Sequence, residues 1–128
     1  MDNKDLGRFG EQKAAAFLMS EGYRILNFNY QCRLGEIDII AKNSEFIIFC
    51  EVKLRKDDTF GSAMEFVTKA KQKRIIKTAF YYLQHNQNAS TSILQPRFDV
   101  IEIYAPIGEK GEIQIYHCED AFQCDFTL

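Results

Sequence analysis

Gly35-Glu36-Ile37-Asp38-Ile39-Ile40, followed by Phe46-Ile47-Ile48-Phe49-Cys50-Glu51-Val52-Lys53, is a pair of apolar, β-prone runs that carry charge where hydrophobic residues belong. Asp38, Glu51 and Lys53 are the charges that need a reason. An isolated carboxylate or ammonium in a buried strand is strongly unfavourable unless it is paired, protonated or bound to a metal, so three of them in two core-like strands mark a site. An Asp on one strand and Glu-x-Lys on the next is the arrangement of a metal-dependent phosphodiesterase.

Strand geometry brings these groups together. Between the runs, Lys42-Asn43-Ser44-Glu45 is polar and rich in turn formers, which predicts an antiparallel hairpin over about residues 35–53. Side chains alternate faces along a strand, so Glu51 and Lys53 point one way and Val52 the other, and Glu36 and Asp38 obey the same rule. A register that sets Asp38 opposite Glu51 or Phe49 gathers all three charges on one face. A slip of one residue separates them.

The residue types suit a hard divalent cation. Mg²⁺ or Mn²⁺ prefers oxygen ligands, and Mg²⁺ is commonly held by one or two carboxylates with water and substrate phosphate completing the shell. Asp38 and Glu51 are the candidate metal ligands. Lys53, beside the phosphate, would orient the nucleophilic water and offset the charge that develops in the transition state. The competing reading is a structural ion pair at a strand end, with Lys53 neutralising Glu51 or Asp38.

Composition bounds the rest. At 128 residues and 46% hydrophobic, with eleven Phe and six Tyr, residues 1–128 fit one domain with a substantial core. No run approaches the roughly 18 apolar residues of a membrane span, and Met1-Asp2-Asn3-Lys4-Asp5 has no signal-peptide character, so a cytoplasmic protein is expected. Cys32, Cys50, Cys118 and Cys124 form no C-x-x-C pair and read as reduced thiols, and His117-Cys118 with Cys124 lacks a convincing fourth zinc ligand. His85 and His117 read as surface or packing residues.

A net charge of -2 argues against a nucleic-acid partner until its distribution is considered. Residues 1–51 hold six Lys/Arg against eight Asp/Glu, residues 52–98 nine against three, and residues 99–128 one against seven. The positive middle block contains Arg55 and Lys56 at the edge of the proposed site, then Lys69, Lys71, Lys73 and Arg74. These are candidate phosphate contacts, the type of group that dominates nucleic-acid affinity. Gln72, among them, suits either a hydrogen bond within the site or a plain helix surface.

Periodicity places these residues on elements. A first helix is predicted over about residues 7–20, stopped by Gly22, with Glu11 on it, and a strand over 23–30, then a loop from Gln31 to Gly35 before the hairpin. Asp57 to Ser62 reads as a loop beside the site. Phe66, Ala70, Ile75, Ile76, Ala79, Phe80 and Leu83 mark a longer amphipathic helix, or a pair, from about 63 to 84 with the basic cluster on its other side. Residues 98–104 form a strand, and Gly108-Glu109-Lys110-Gly111 turns the chain into a last strand over 112–116.

Gly7-Arg8-Phe9-Gly10-Glu11, Gly22-Tyr23-Arg24-Ile25-Leu26, Gly35 to Ile40, Glu51-Val52-Lys53-Leu54-Arg55 and Arg97-Phe98-Asp99-Val100 together resemble the YraN-like family of small bacterial proteins, in order and over nearly the whole chain. The resemblance implies membership of the restriction-endonuclease-like superfamily and similarity to archaeal Holliday-junction resolvases. It implies an α/β fold with an αβββαβ core, a mixed sheet flanked by helices. It further implies that Asp38, Glu51 and Lys53 are the catalytic triad and that Glu11 adds a carboxylate to the metal site. Asn29-Tyr30-Gln31 stands where relatives often carry Asn-Tyr-Arg, and Cys50 where Val is commoner.

The leading expectation is a Mg²⁺- or Mn²⁺-dependent endonuclease acting on DNA, in preference to RNA, at branched or damaged structures. A resolvase role requires two active sites, hence a homodimer. Two other classes fit the same residues: a non-catalytic nucleic-acid-binding module assisting another DNA-processing protein, and a structural protein with a salt-bridged core.

Overall fold

The computed structural model describes residues 3–55, 67–86, 93–104 and 113–124. Lys56, the Asp57 to Ser62 loop, the predicted helical stretch 63–66 and the Gly108 to Gly111 turn lie outside the described residues. The chain runs α1 (Asn3–Ser20), β1 (Arg24–Cys32), β2 (Gly35–Lys42), β3 (Phe46–Arg55), α2 (Lys69–His85), β4 (Gln95–Tyr104) and β5 (Gln114–Phe122). The five strands form one sheet in the order β1-β2-β3-β4-β5. β3 and β4, separated in sequence by α2, pair in parallel, and every other pair is antiparallel. The sheet is therefore mixed and flanked by helices, consistent with the expected αβββαβ core, with β5 as one strand more.

Local chemistry fixes these elements. α1 buries Ala14, Ala15 and Leu18 along one face and ends where Gly22 adopts φ +93, a left-handed conformation that costs glycine little. There Tyr23 N–H donates to Leu18 O at 2.9 Å and closes the helix end. In the β2–β3 turn, Asn43 Oδ1 accepts from the N–H groups of Glu45 at 2.9 Å and Phe46 at 2.8 Å, the Asx-type closure that a polar turn residue supplies.

Several predicted boundaries are corrected: α1 begins at Asn3 rather than about 7, α2 at Lys69 with Thr68 as its N-cap rather than about 63, and β4 at Gln95 rather than 98; two more lie at sheet edges. β1 continues to Cys32, which pairs with Gly35, so only Arg33 and Leu34 form the turn where a loop from Gln31 is predicted. β5 runs on through Phe122, beyond the predicted end at Tyr116. Both are edge strands with one side open to water. Polar residues such as Gln31, Glu119 and Asp120 extend them without burial, which hides the strand from a pattern of alternating hydrophobics.

The sheet carries a core on each side. Ile47, Phe49, Phe98, Val100 and Phe122 pack with Ile75, Ile76, Ala79 and Tyr82 of α2. Ile48, Cys50, Ile101 and Ile103 pack with Ala14, Ala15 and Leu18 of α1. A fully buried large apolar side chain contributes about 1.5–3 kcal/mol, so this central pair of strands is the firmest place in the molecule to mount charged groups. No helix among the described residues is long and apolar enough to cross a membrane.

Candidate active site

Asp38 and Glu51 stand next to each other where the β2–β3 ladder ends. The paired residues run from Lys42↔Ile47 to Ile39↔Cys50, and the next step along the two strands is Asp38 against Glu51. This is one of the two registers the sequence requires. Asp38 itself interrupts the ladder: its Oδ2 accepts from Val52 N–H at 2.8 Å, holding the carboxylate across the hairpin. Ile37 joins the α2-side core and Ile39 the α1-side core, so regular alternation breaks at Asp38. The break puts a side chain where a backbone partner would otherwise sit.

Glu51 lies on the α2 side of β3, only 7% exposed. Its Oε1 is 3.4 Å from Lys53 Nζ, which alternation returns to the same face, and 2.5 Å from Lys71 Nζ of α2. The start of α2 is held by Thr68, whose side chain accepts from Lys71 N–H at 3.1 Å, and by Gln72 Nε2, which donates to Val67 O at 2.9 Å. Gln72 thus serves the helix end rather than the carboxylates. The helix also sits close on β2, because a Cβ at Gly35 would meet Thr78 Oγ1 at 2.8 Å. Gly35 lets α2 close over the site.

Together Gly35, Glu36, Asp38, Glu51, Lys71, Arg74 and Ile75 line a cleft of about 220 Å³. A larger cleft of about 860 Å³ opens elsewhere, beside Phe46, Phe80, Phe98 and Phe122. Chemistry, not size, selects the smaller one, since it holds the facing carboxylates.

Electrostatics mark Asp38. Burial, followed by the charge of Glu51, raises its pKa from the ordinary 3.8 to about 7; the Val52 N–H opposes the rise, and Glu11 and Glu36 add to it. Both leading causes disfavour the ionised form of this carboxyl. Burial pulls the Lys71 ammonium down, but Glu51 and Asp38 outweigh that and hold it above its usual value.

The remaining candidates are distributed as follows. Glu11 Oε1 accepts from Asn29 Nδ2 at 2.8 Å and reaches Asp38 through its charge. No group of three His, Cys, Asp or Glu side chains among the described residues is arranged to hold a metal ion; the carboxylates that line the cleft are Glu36, Asp38 and Glu51. Arg55 is turned to the protein, with Nε 3.3 Å from Oε1 of the fully buried Glu102. Lys69, Lys73 and Arg74 are exposed on α2, and Arg74 also lines the cleft. Lys71 is drawn inward to Glu51.

Sequence reasoning missed a second charged cluster. Asp99, fully buried on β4, accepts from Arg97 Nε at 2.9 Å and Arg97 Nη2 at 2.7 Å. It also receives the Asp120 N–H at 3.0 Å, and His117 Nε2 lies 2.8 Å away. Arg97 Nη2 donates in addition to Tyr23 Oη at 2.7 Å. The available signal was Arg97-Phe98-Asp99, two opposite charges one residue apart and therefore on one face of a strand. His117 packs edge-on against Phe17, in keeping with a packing role, while His85 is exposed and stacks on Tyr81.

Comparison with known proteins agrees with the motif resemblance. A family model described as "Uncharacterised protein family UPF0102" matches residues 10–103. A UPF0102 protein of Caldicellulosiruptor bescii is 44% identical over 122 residues, covering 95% of this chain and 100% of the relative. One from Clostridioides difficile is 46% identical over 122 residues with the same coverage. One from Sulfurihydrogenibium is 41% identical over 125 residues, 98% of this chain and 100% of its own.

Proposed function

The chain belongs to the UPF0102, or YraN-like, family, and from that premise we propose that it is an endonuclease of the restriction-endonuclease-like superfamily. Its substrate is DNA, at branched or damaged structures, and its metal is Mg²⁺ or Mn²⁺. The observation that carries the reading is the convergence of Asp38 and Glu51 from two strands at one cleft that Lys71 and Arg74 of α2 also line, with Lys53 Nζ 3.4 Å from Glu51.

The donor set suits such an ion. Two adjacent carboxylates are the number that Mg²⁺ commonly takes while keeping several waters, and the rise of Asp38 to about 7, from burial and then from the Glu51 charge, is of the kind a bound cation would relieve. When bound, the cation would polarise the scissile phosphate and lower the pKa of a bound water. The chain's own groups do the rest. Asp38, fixed by Val52 N–H, and Glu51 hold the ion; Lys53 orients the water and offsets charge on the phosphate; Glu11 and Glu36 add negative potential at the rim. Lys69, Lys73 and Arg74 receive the backbone phosphates. Cleaving both strands of a junction needs two such sites, hence a symmetric dimer.

One observation favours a second reading, a nucleic-acid-binding module that does not cut. Lys71 and Lys53 together already offset Glu51 from within the protein. The test is incubation with branched, single-stranded and duplex DNA in Mg²⁺ or Mn²⁺, beside Asp38→Ala and Lys53→Ala. Metal-dependent cutting lost in both variants is expected. Binding without cutting by the unaltered protein establishes the module instead.

A further inference from the structure

Phe28 sits on the edge strand β1, yet it is 49% exposed. Single exposed apolar side chains are ordinary, so its surroundings decide whether it matters. Its cross-strand partner is Ile39, the residue after Asp38. It lines a cleft of about 280 Å³ whose other walls are Arg8, Glu11, Gln12 and Asn29. That volume lies just below the roughly 300–1,000 Å³ of pockets for drug-sized ligands, on the scale of a single ring system.

Asn29 takes φ +49 within β1, a left-handed conformation that asparagine adopts more readily than most non-glycine residues, and its side chain there donates to Glu11 at 2.8 Å. Glu11 belongs both to this cleft and to the electrostatic surroundings of Asp38. The cleft therefore adjoins the carboxylate pair along β1 and α1.

An exposed aromatic face ringed by a guanidinium, two amides and the Glu11 carboxylate offers stacking in the plane and hydrogen bonds at the edge. Those are the two means by which proteins take an unpaired base. We infer that the Phe28 cleft receives one unstacked nucleobase of the DNA strand, next to the phosphate that meets Asp38 and Glu51, with Phe28 as the stacking platform and Arg8 and Gln12 at the base edge. The inference rests on the nucleic-acid reading above and narrows it. The preferred substrate has a single-stranded or unpaired nucleotide at the site, and uniform duplex is a poorer one.

The chain contains no tryptophan, so Phe28→Trp installs a single reporter in an exposed position. Titrate Phe28→Trp, in EDTA and without metal, with a single-stranded DNA oligonucleotide and with an abasic oligonucleotide of equal length. The expected result is strong quenching of the indole emission by the first and binding with little quenching by the second. Phe28→Ala should weaken single-strand affinity about tenfold and leave duplex affinity unchanged, since a stacked base is lost but phosphate contacts are not. Equal quenching by the abasic strand, or single-strand affinity untouched in Phe28→Ala, overturns the base site. Because neither metal nor cutting enters the measurement, an inert nuclease centre leaves this result standing. Failure of the unaltered protein to bind any oligonucleotide overturns the nucleic-acid reading and this one with it.

Discussion

Asp38 and Asp99 are both withdrawn into one sheet, and their carboxyls are driven in opposite directions. Burial disfavours the charge at each position, but around Asp99 the contacts of His117, Arg97 and the Asp120 N–H outweigh it and lower the pKa. Among the described residues Asp38 accepts one hydrogen bond, from Val52 N–H, and its other close charges include Glu51, Glu11 and Glu36, which with burial raise it to about 7. One carboxylate is surrounded by donors and locks β4 to β5 and to Tyr23. The other lines a cleft and is raised chiefly by burial and then by neighbouring carboxylates. The contrast separates a scaffold charge from a candidate site charge, because a carboxyl whose environment disfavours its ionised form is what a cationic ligand can relieve.

Removing the satisfied partner should have the largest effect. Asp99→Ala leaves the Arg97 guanidinium buried without its carboxylate, and breaking a buried pair from one side is worth about 3–5 kcal/mol of stability. Urea denaturation should show the midpoint fall accordingly, with the slope unchanged. A loss under 1 kcal/mol would mean that Tyr23 and the Tyr23 and Phe46 rings over which Arg97 lies hold the guanidinium unaided, and the comparison would collapse.

Asp38→Asn should act with the opposite sign. The amide oxygen still accepts from Val52 N–H while the repulsion with Glu51 disappears, so at pH 8 without metal the variant should be more stable than the parent. After screening by water in the cleft the gain is about 1–2 kcal/mol. The pH profile of the parent follows from linkage. Asp99, with its lowered value, contributes stability above the ordinary carboxylate range and loses it as pH falls through its folded pKa. Asp38, with its raised value, contributes fully below the ordinary 3.8 and loses that contribution as pH rises from there to about 7. Melting temperature should therefore fall on both sides of a maximum near the ordinary carboxylate pKa. Mg²⁺ at five times its Kd should restore about 1 kcal/mol at pH 8 and little at pH 5, where Asp38 is protonated. A profile with only the acid limb, unmoved by Mg²⁺, would make Asp38 a second scaffold charge.

The same contrast explains what could be read in the sequence. Asp38, Glu51 and Lys53 were legible because each breaks an apolar run, and the Asn43 turn limited the registers to a few. Asp99 was not legible as a scaffold charge. In one dimension it begins an acidic segment, and only folding brings His117 and the Asp120 N–H to it. Lys71 and Arg55 read as phosphate ligands because charge type does not reveal direction; a helix start pinned by Thr68 aims the first at Glu51, and β4 offers Glu102 to the second. The ends of β1 and β5 were obscured by polar residues that an edge strand accommodates. Phe28 carried no signal, since one more aromatic in a β-prone run looks like core.

Lys71 and Lys73, two residues apart on α2, sharpen the comparison at its smallest scale. Lys71 gives Glu51 some of what Arg97 gives Asp99, whereas Lys73 is exposed. Lys73→Met should leave stability within about 0.5 kcal/mol and reduce the salt dependence of DNA binding by about one phosphate contact. Lys71→Met should instead lower stability by about 1 kcal/mol at pH 7, the worth of a partly exposed pair. It should also enlarge the Mg²⁺-induced rise in melting temperature, because the carboxylate pair then loses the Lys71 charge and Glu51 keeps Lys53 alone of its two lysine partners. Calorimetric melts of both variants with and without Mg²⁺, beside binding at several salt concentrations, distinguish the roles. If Lys71→Met flattens the salt dependence and leaves the Mg²⁺ response unchanged, Lys71 is a phosphate contact like Lys73, and the ion pair with Glu51 gives way when DNA binds.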